Sequence, residues 1–138
     1  MDAAITRTLR EALAAGPELR LAVLFGSQAR GDARDDSDVD VAILPADKEL
    51  GLAAELDLQA RLESATGKTV DLVRLDHAST LLAWLIARDG RVVFDSGGEF
   101  TAFQVRAASE WFDFEPSYRA AEAAMLRRLA EAERRNVS

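Results

Sequence analysis

Apolar residues recur four apart in the first turns of the chain, at Ile5, Leu9 and Leu13. That spacing makes one stripe of a helix over residues 2–15, ended by Gly16-Pro17 and expected to lie against a sheet. Residues 21–25, LAVLF, are too few and too uniformly apolar for a surface helix and predict a buried strand. Alternation sets in at 38–44, where Val39 and Val41 separate Asp38 and Asp40, a second strand stopped by Pro45. Asp47 is a candidate N-cap for a helix over about 48–65, with Leu52, Leu56 and Leu62 beside Ala53 and Ala60 on its apolar side and Gly67 closing it. Residues 69–75 form a β-rich third strand, Leu81, Leu82, Leu85 and Ile86 mark a short helix ending at Asp89-Gly90, and 91–94 read as a last strand. After a break at Gly97-Gly98 the pattern predicts two helices, 99–112 and 116–135, the second carrying Tyr118, Ala121, Met125, Leu126 and Leu129 at helical spacing. Strand and helix alternate as far as residue 95, so the pattern predicts an α/β core, about 18–96, with C-terminal helices over about 98–136, all within one domain spanning 1–138.

The chemistry concentrates between the first two strands. The first delivers Gly26-Ser27 into a polar loop, and ten residues later Asp38 and Asp40 open the second, so the motif is G-S-x10-D-x-D. Residues i and i+2 of a strand share a face, which places both carboxylates together with apolar neighbours behind them. Two like charges so placed repel, and a hard divalent cation relieves the repulsion while taking its remaining oxygens from water and substrate phosphates. Gly26 permits close approach of a backbone to a phosphate, Ser27 offers a hydroxyl and an N–H where a helical turn over 27–30 would begin, and Arg30 adds a fixed cationic fork.

GSQARGDARDDSDVDVAIL resembles the signature of the polymerase-beta-like nucleotidyltransferases, in their minimal stand-alone branch. The resemblance implies a small mixed sheet flanked by helices, a triphosphate held at Gly26 and Ser27, and magnesium or manganese bound by Asp38 and Asp40. It also implies a third carboxylate on a later strand. Asp71, in TVDLVRL, matches that position, as a metal ligand or as the group that takes the acceptor's proton. The later text, GRVVFDS followed by ASEWFDFEPSYRAAEAAML, is similar to the MntA-type antitoxins, which accompany HEPN ribonuclease toxins and modify them with AMP. The expected reaction is therefore transfer of AMP from ATP to a tyrosine hydroxyl of a HEPN toxin, with release of pyrophosphate and neutralisation of the toxin. The catalytic set is Asp38, Asp40 and Asp71, with Gly26, Ser27 and Arg30 on the phosphates.

Composition narrows the rest. The 138 residues, 49% of them hydrophobic, suffice for a sizeable core. Cysteine is absent, which excludes disulfides and thiolate metal sites and suits a reducing compartment. No apolar run reaches the roughly 18 residues of a membrane helix, and the start of the chain lacks a signal-peptide core, so a cytoplasmic protein is expected. A net charge of −7 disfavours direct nucleic-acid binding, which relies on many cations meeting phosphates.

Other residues draw blander readings. Asp32, Asp35 and Asp36 lie in the loop without a strand to fix them and read as solvated, and His77, the only histidine, reads as an exposed turn residue at a helix start. Trp84 reads as core. Trp111, Phe112 and Phe114 either mark an interface or pin the last helix, and the stripe through Met125 and Leu129 either packs at home or docks on a partner, so a homo- or hetero-oligomer is open. Two rivals share these residues: an aminoglycoside-type small-molecule nucleotidyltransferase, and an antitoxin that masks its partner without catalysis. The first is disfavoured because little chain remains after the core to enclose a small acceptor.

Overall fold

The computed structural model describes residues 2–137. Its elements are α1 (Asp2–Ala14), β1 (Leu19–Phe25), the single turn α2 (Ser27–Arg30), β2 (Val39–Pro45), α3 (Leu52–Thr66), β3 (Val70–Arg74), a 3-10 turn (Leu75–His77), α4 (Thr80–Asp89), β4 (Arg91–Asp95) and α5 (Glu99–Val137). The strands form one mixed sheet in the order β3-β2-β1-β4, with β1 antiparallel to β2 and β4, and β2 parallel to β3.

Alternation along the strands sorts their side chains between two cores. Leu24, Val39, Val41 and Ile43 pack with Leu9 and Leu13 of α1 and with Leu58 and Leu62 of α3 on one face. Leu21, Val23 and Ala42 pack with Ile86 of α4 and with Phe103 and Ala107 of α5 on the other. Asp40 lies between Val39 and Val41, so it faces the α4 side. Because β1 runs against β2 and β2 runs with β3, the end of β1 and the starts of β2 and β3 meet at one end of the sheet.

Three expectations are corrected. The helix after Pro45 begins at Leu52 with Gly51 as its cap rather than at 48 with Asp47. Asp47 instead closes a turn, its carboxylate and carbonyl accepting from the Glu49 and Leu50 N–H groups, since Asp competes for nearby amides and so favours turns. On α3 the buried side is Leu58 and Leu62, while Leu52 and Leu56 stand 69% and 54% exposed, because at 3.6 residues per turn they lie well round the helix from Leu58. The two C-terminal helices are one, α5, which runs through Pro116. A proline there removes one intrahelical hydrogen bond and crowds the carbonyl four residues back. The helix persists because the position is exposed, so water can meet the freed carbonyl, and because side chains bridge it. Tyr118 contacts Trp111 and Phe114 with ring centroids 5.7 and 6.1 Å apart, and Arg119 pairs with Glu115 at 2.6 Å.

Candidate active site

The motif's residues converge at that shared end of the sheet. The antiparallel register sets Phe25 opposite Asp40, and the parallel register sets Asp40 beside Asp71 on the same face. Asp38 lies just outside β2, exposed, one position before the strand begins. It still acts on Asp40. Burial first, then the charges of Asp71 and Asp38, hold the Asp40 carboxyl above its ordinary range, and the Arg30 guanidinium partly offsets them. Asp40 is thus the carboxylate on which the charges of Asp38 and Asp71 converge. Among the described residues no three acidic or imidazole side chains already stand grouped as a ready-made metal cage.

Gly26 is required here for a reason that the sequence did not disclose. Its φ of 73° lies where L side chains are strained, and a Cβ at this position would meet the Asp40 carboxylate. The glycine thus lets the turn close directly over the acid. Ser27 then opens α2, the Gly26 carbonyl accepts from the Arg30 N–H at 3.1 Å, and Gly31 ends the turn in the left-handed conformation at φ 79°. Arg30 is half exposed, 3.5 Å from an Asp32 carboxylate oxygen, and its charge also acts on Asp40 and Asp89. Asp32, Asp35 and Asp36 are exposed, as their loop position suggested.

Residues not singled out beforehand shape the loop. Ser37 Oγ accepts from the Arg34 N–H at 2.7 Å, Lys68 Nζ donates to the Asp35 carbonyl at 2.7 Å, and the Val39 N–H reaches the Thr69 carbonyl at 2.9 Å. These bonds fix the segment that carries Asp38. Arg74, three residues beyond Asp71, is a buried cation held by Asp76 at 2.6 Å, Glu55 at 3.1 Å and the Leu50 and Lys48 carbonyls. It ties the 46–51 loop to β3, and its hydrogen bonds keep the Asp76 carboxyl below the usual range. A cation within a strand of apolar alternation was the available signal. His77 is 68% exposed and lies 3.8 Å from Asp76, a surface turn residue as expected. A cavity of about 360 Å³ behind the loop, lined by Ile5, Thr8, Gln28, Arg34 and Lys68, touches none of the three site aspartates.

The carboxylate donors suit a hard divalent cation, and their mutual repulsion, visible in Asp40, is what such an ion would relieve. The donor set therefore fits magnesium or manganese, with phosphate oxygens completing the shell.

Comparison with known proteins agrees with this geometry. Residues 7–98 match the family described as polymerase beta, nucleotidyltransferase. The protein adenylyltransferase MntA of Aphanizomenon flos-aquae is 33% identical over 100 residues, covering 65% of this chain and 67% of the relative. The MntA of Shewanella oneidensis is 37% identical over 93 residues, covering 67% and 66%. These alignments span about two thirds of the relatives' length. In fold, a toxin–antitoxin crystal structure with AMP-PNP superposes with a TM-score of 0.78 at 30% identity, over 88% of this chain and 98% of that one. The complex of tri-AMPylated Shewanella oneidensis HEPN toxin with MNT antitoxin gives 0.75 at 28% identity, over 91% and 99%. Matched in sequence over residues 7–98 and in fold over most of its length, the chain belongs to the polymerase beta nucleotidyltransferase family.

Proposed function

We propose that the protein is an antitoxin that transfers AMP from ATP to a tyrosine hydroxyl of a cognate HEPN ribonuclease toxin, switching the toxin off. The observation that carries this reading is the register that sets Asp40 beside Asp71, with Gly26 closing over Asp40. Likeness to the MntA adenylyltransferases and to an AMPylated HEPN toxin complex supports the acceptor.

Gly26 and Ser27 hold the triphosphate through backbone N–H and hydroxyl groups, and Arg30 pairs with its outer oxygens. Asp38 and Asp40 would hold the divalent cation, which when bound offsets charge on the phosphates and on the leaving pyrophosphate. The tyrosine oxygen attacks the α-phosphorus, the bond from that phosphorus to the bridging oxygen breaks, and pyrophosphate leaves with the electron pair. Asp71, exposed at the start of an edge strand, accepts the tyrosine proton. Catalysis then rests on positioning and charge compensation, the usual resources of phosphoryl transfer.

A protein acceptor also suits the shape of the site. On the face that carries Asp40 and Asp71, α4 and α5 make their larger contacts with β1 and β4 and reach β2 at Ala42, farther along the strand than Asp40. Of the two readings open for Trp111, interface or anchor of the last helix, burial favours the anchor: it stacks on Trp84 with ring planes 6° from parallel and centroids 6.0 Å apart. Phe112, 64% exposed over Trp84, and Leu85 on α4 remain as apolar contacts for the toxin. Among the described residues no helix is long and apolar enough to cross a membrane. The cytoplasm, where a ribonuclease toxin and ATP meet, is the compartment we assign.

The test is incubation with labelled ATP, magnesium and the co-encoded toxin, followed by mass spectrometry. AMP on a toxin tyrosine is expected, with none on aminoglycosides. An unlabelled toxin, or label on an aminoglycoside instead, would refute the reading.

A further inference from the structure

Asp71 stands on β3, an edge strand, so pairing with β2 holds its backbone from one side only. In an extended strand the peptide groups of successive residues point alternately to the two sides. Thr69 turns its carbonyl toward β2, where the Val39 N–H meets it at 2.9 Å, and the N–H and carbonyl of Val70 therefore point outward, to the edge. Groups on such an edge are open to water or to another strand. Here two side chains of α3 meet them. Glu63 Oε2 accepts from the Val70 N–H at 3.0 Å, and Gln59 Nε2 donates to the Val70 carbonyl at 2.9 Å.

Gln59 and Glu63 lie four residues apart, so one face of α3 presents an acceptor and a donor matched to the two polar groups of a single strand residue. Both bonds are part-buried and Val70 is 1% exposed, which makes water a poor substitute for either. The neighbouring Leu58 and Leu62 anchor the same turns of α3 in the core. The pair thus replaces a missing strand at the residue directly before Asp71.

We propose that Gln59 and Glu63 are positioning residues for the transfer step, a role that rests on the transferase reading: by holding Val70 from the outer edge they fix Asp71 where it takes the acceptor's proton. A general base must stand within hydrogen-bond reach of that proton, and a misplacement of about 1 Å can cost about 100-fold in rate. The requirement is chemical as well as steric, since position 63 must accept and position 59 must donate. In that reading ATP is held from β1 and β2, so a loosened β3 lowers kcat and leaves ATP affinity alone.

The test compares the full-length parent with Glu63→Gln, Glu63→Met and Gln59→Glu, all below their melting temperatures as checked by circular dichroism. Toxin labelling gives kcat, calorimetry gives ATP affinity, and hydrogen exchange reports on residues 69–74. Glu63→Gln keeps an acceptor and should stay within about threefold of the parent kcat. Glu63→Met and Gln59→Glu should fall about 10–100-fold in kcat, with ATP affinity unchanged and faster exchange over 69–74. A folded Glu63→Met with the parent's kcat, a Glu63→Gln as impaired as Glu63→Met, or ATP affinity lost in step with kcat would each overturn the positioning role. A parent that transfers no AMP to the toxin would overturn the transferase reading and this role with it, whereas variants that match a working parent overturn this role alone.

Discussion

Gly26 and Asp40 are one structural decision made by two residues. The glycine's positive φ and the carboxylate packed where its Cβ would lie mean that a side chain at 26 displaces Asp40 as well as the turn itself. Gly26→Val is therefore expected to abolish calorimetrically detectable ATP binding and to lower stability by about 1–3 kcal/mol, the usual cost of a strained backbone position. Ser27→Ala should be milder, losing a hydroxyl contact worth about 0.5–1.5 kcal/mol. Asp40 makes the opposite kind of prediction for stability. Its carboxyl is held above its ordinary range by burial, Asp71 and Asp38, so the folded chain keeps that proton to a higher pH than the unfolded chain does. Stability attributable to Asp40 thus falls as pH rises from the ordinary carboxylate value through the raised one, and stays lower above it. Asp40→Asn should melt higher than the parent at neutral pH, the gap closing in acid, while its transferase activity drops by orders of magnitude. A variant that melts lower at neutral pH would remove the repulsion argument.

The start of α5 shows how a helix is fixed from the strand before it. Asp95, the last residue of β4, accepts from the backbone N–H groups of Gly97, Glu99 and Phe100 at 2.9, 3.0 and 3.1 Å. Those bonds, Gly97 foremost, pull its carboxyl below the ordinary range. A depressed value means stability that is fully present above the unfolded value and is lost as pH falls through the folded one. Asp95→Ala is expected to cost about 0.5–2 kcal/mol at neutral pH, as loss of a helix cap does, and denaturant melts should show the cost vanishing in acid. On α3 the two leucine pairs separate cleanly. Leu62→Ala, in the core beneath α1, should cost about 2–5 kcal/mol, whereas Leu52→Ala should stay within about 0.5 kcal/mol of the parent. Equal losses would mean that Leu52 is covered in the working assembly.

For the molecule as a whole, the carboxylate end of the sheet and the long α5 are separate features. The first holds Asp40 and Asp71 side by side, and the second runs on to Val137 well beyond its buried residues Phe103, Ala107 and Trp111. Catalysis and masking can be separated by expressing the toxin with either the parent or the Asp38→Asn, Asp40→Asn double variant. The variant should fold, since neither carboxylate belongs to the core, and should fail to restore growth at equal abundance. Growth restored without AMP on the toxin would assign neutralisation to binding alone.

The linear pattern was sufficient for the four strands, for α1 and α4, and for the G-S-x10-D-x-D motif, because each depends on neighbours within a few residues. Alternation predicted Asp38 and Asp40 on one strand face, whereas β2 begins at Val39 and leaves Asp38 one position outside it. Asp71 is different. Nothing local distinguishes a strand aspartate that faces a site from one that faces solvent, and only its family resemblance singled it out before parallel pairing set it beside Asp40. Position along α3 and α5 likewise escaped the sequence. Leu52 and Leu58 are equally apolar, and their burial depends on where the helix meets the sheet. Pro116 reads as a stop, yet ring contacts and an ion pair across it carry the helix on. Local propensity and periodicity are written in the order of residues; burial, register and charge coupling arise between segments far apart in the chain, and the tertiary structure alone decides them.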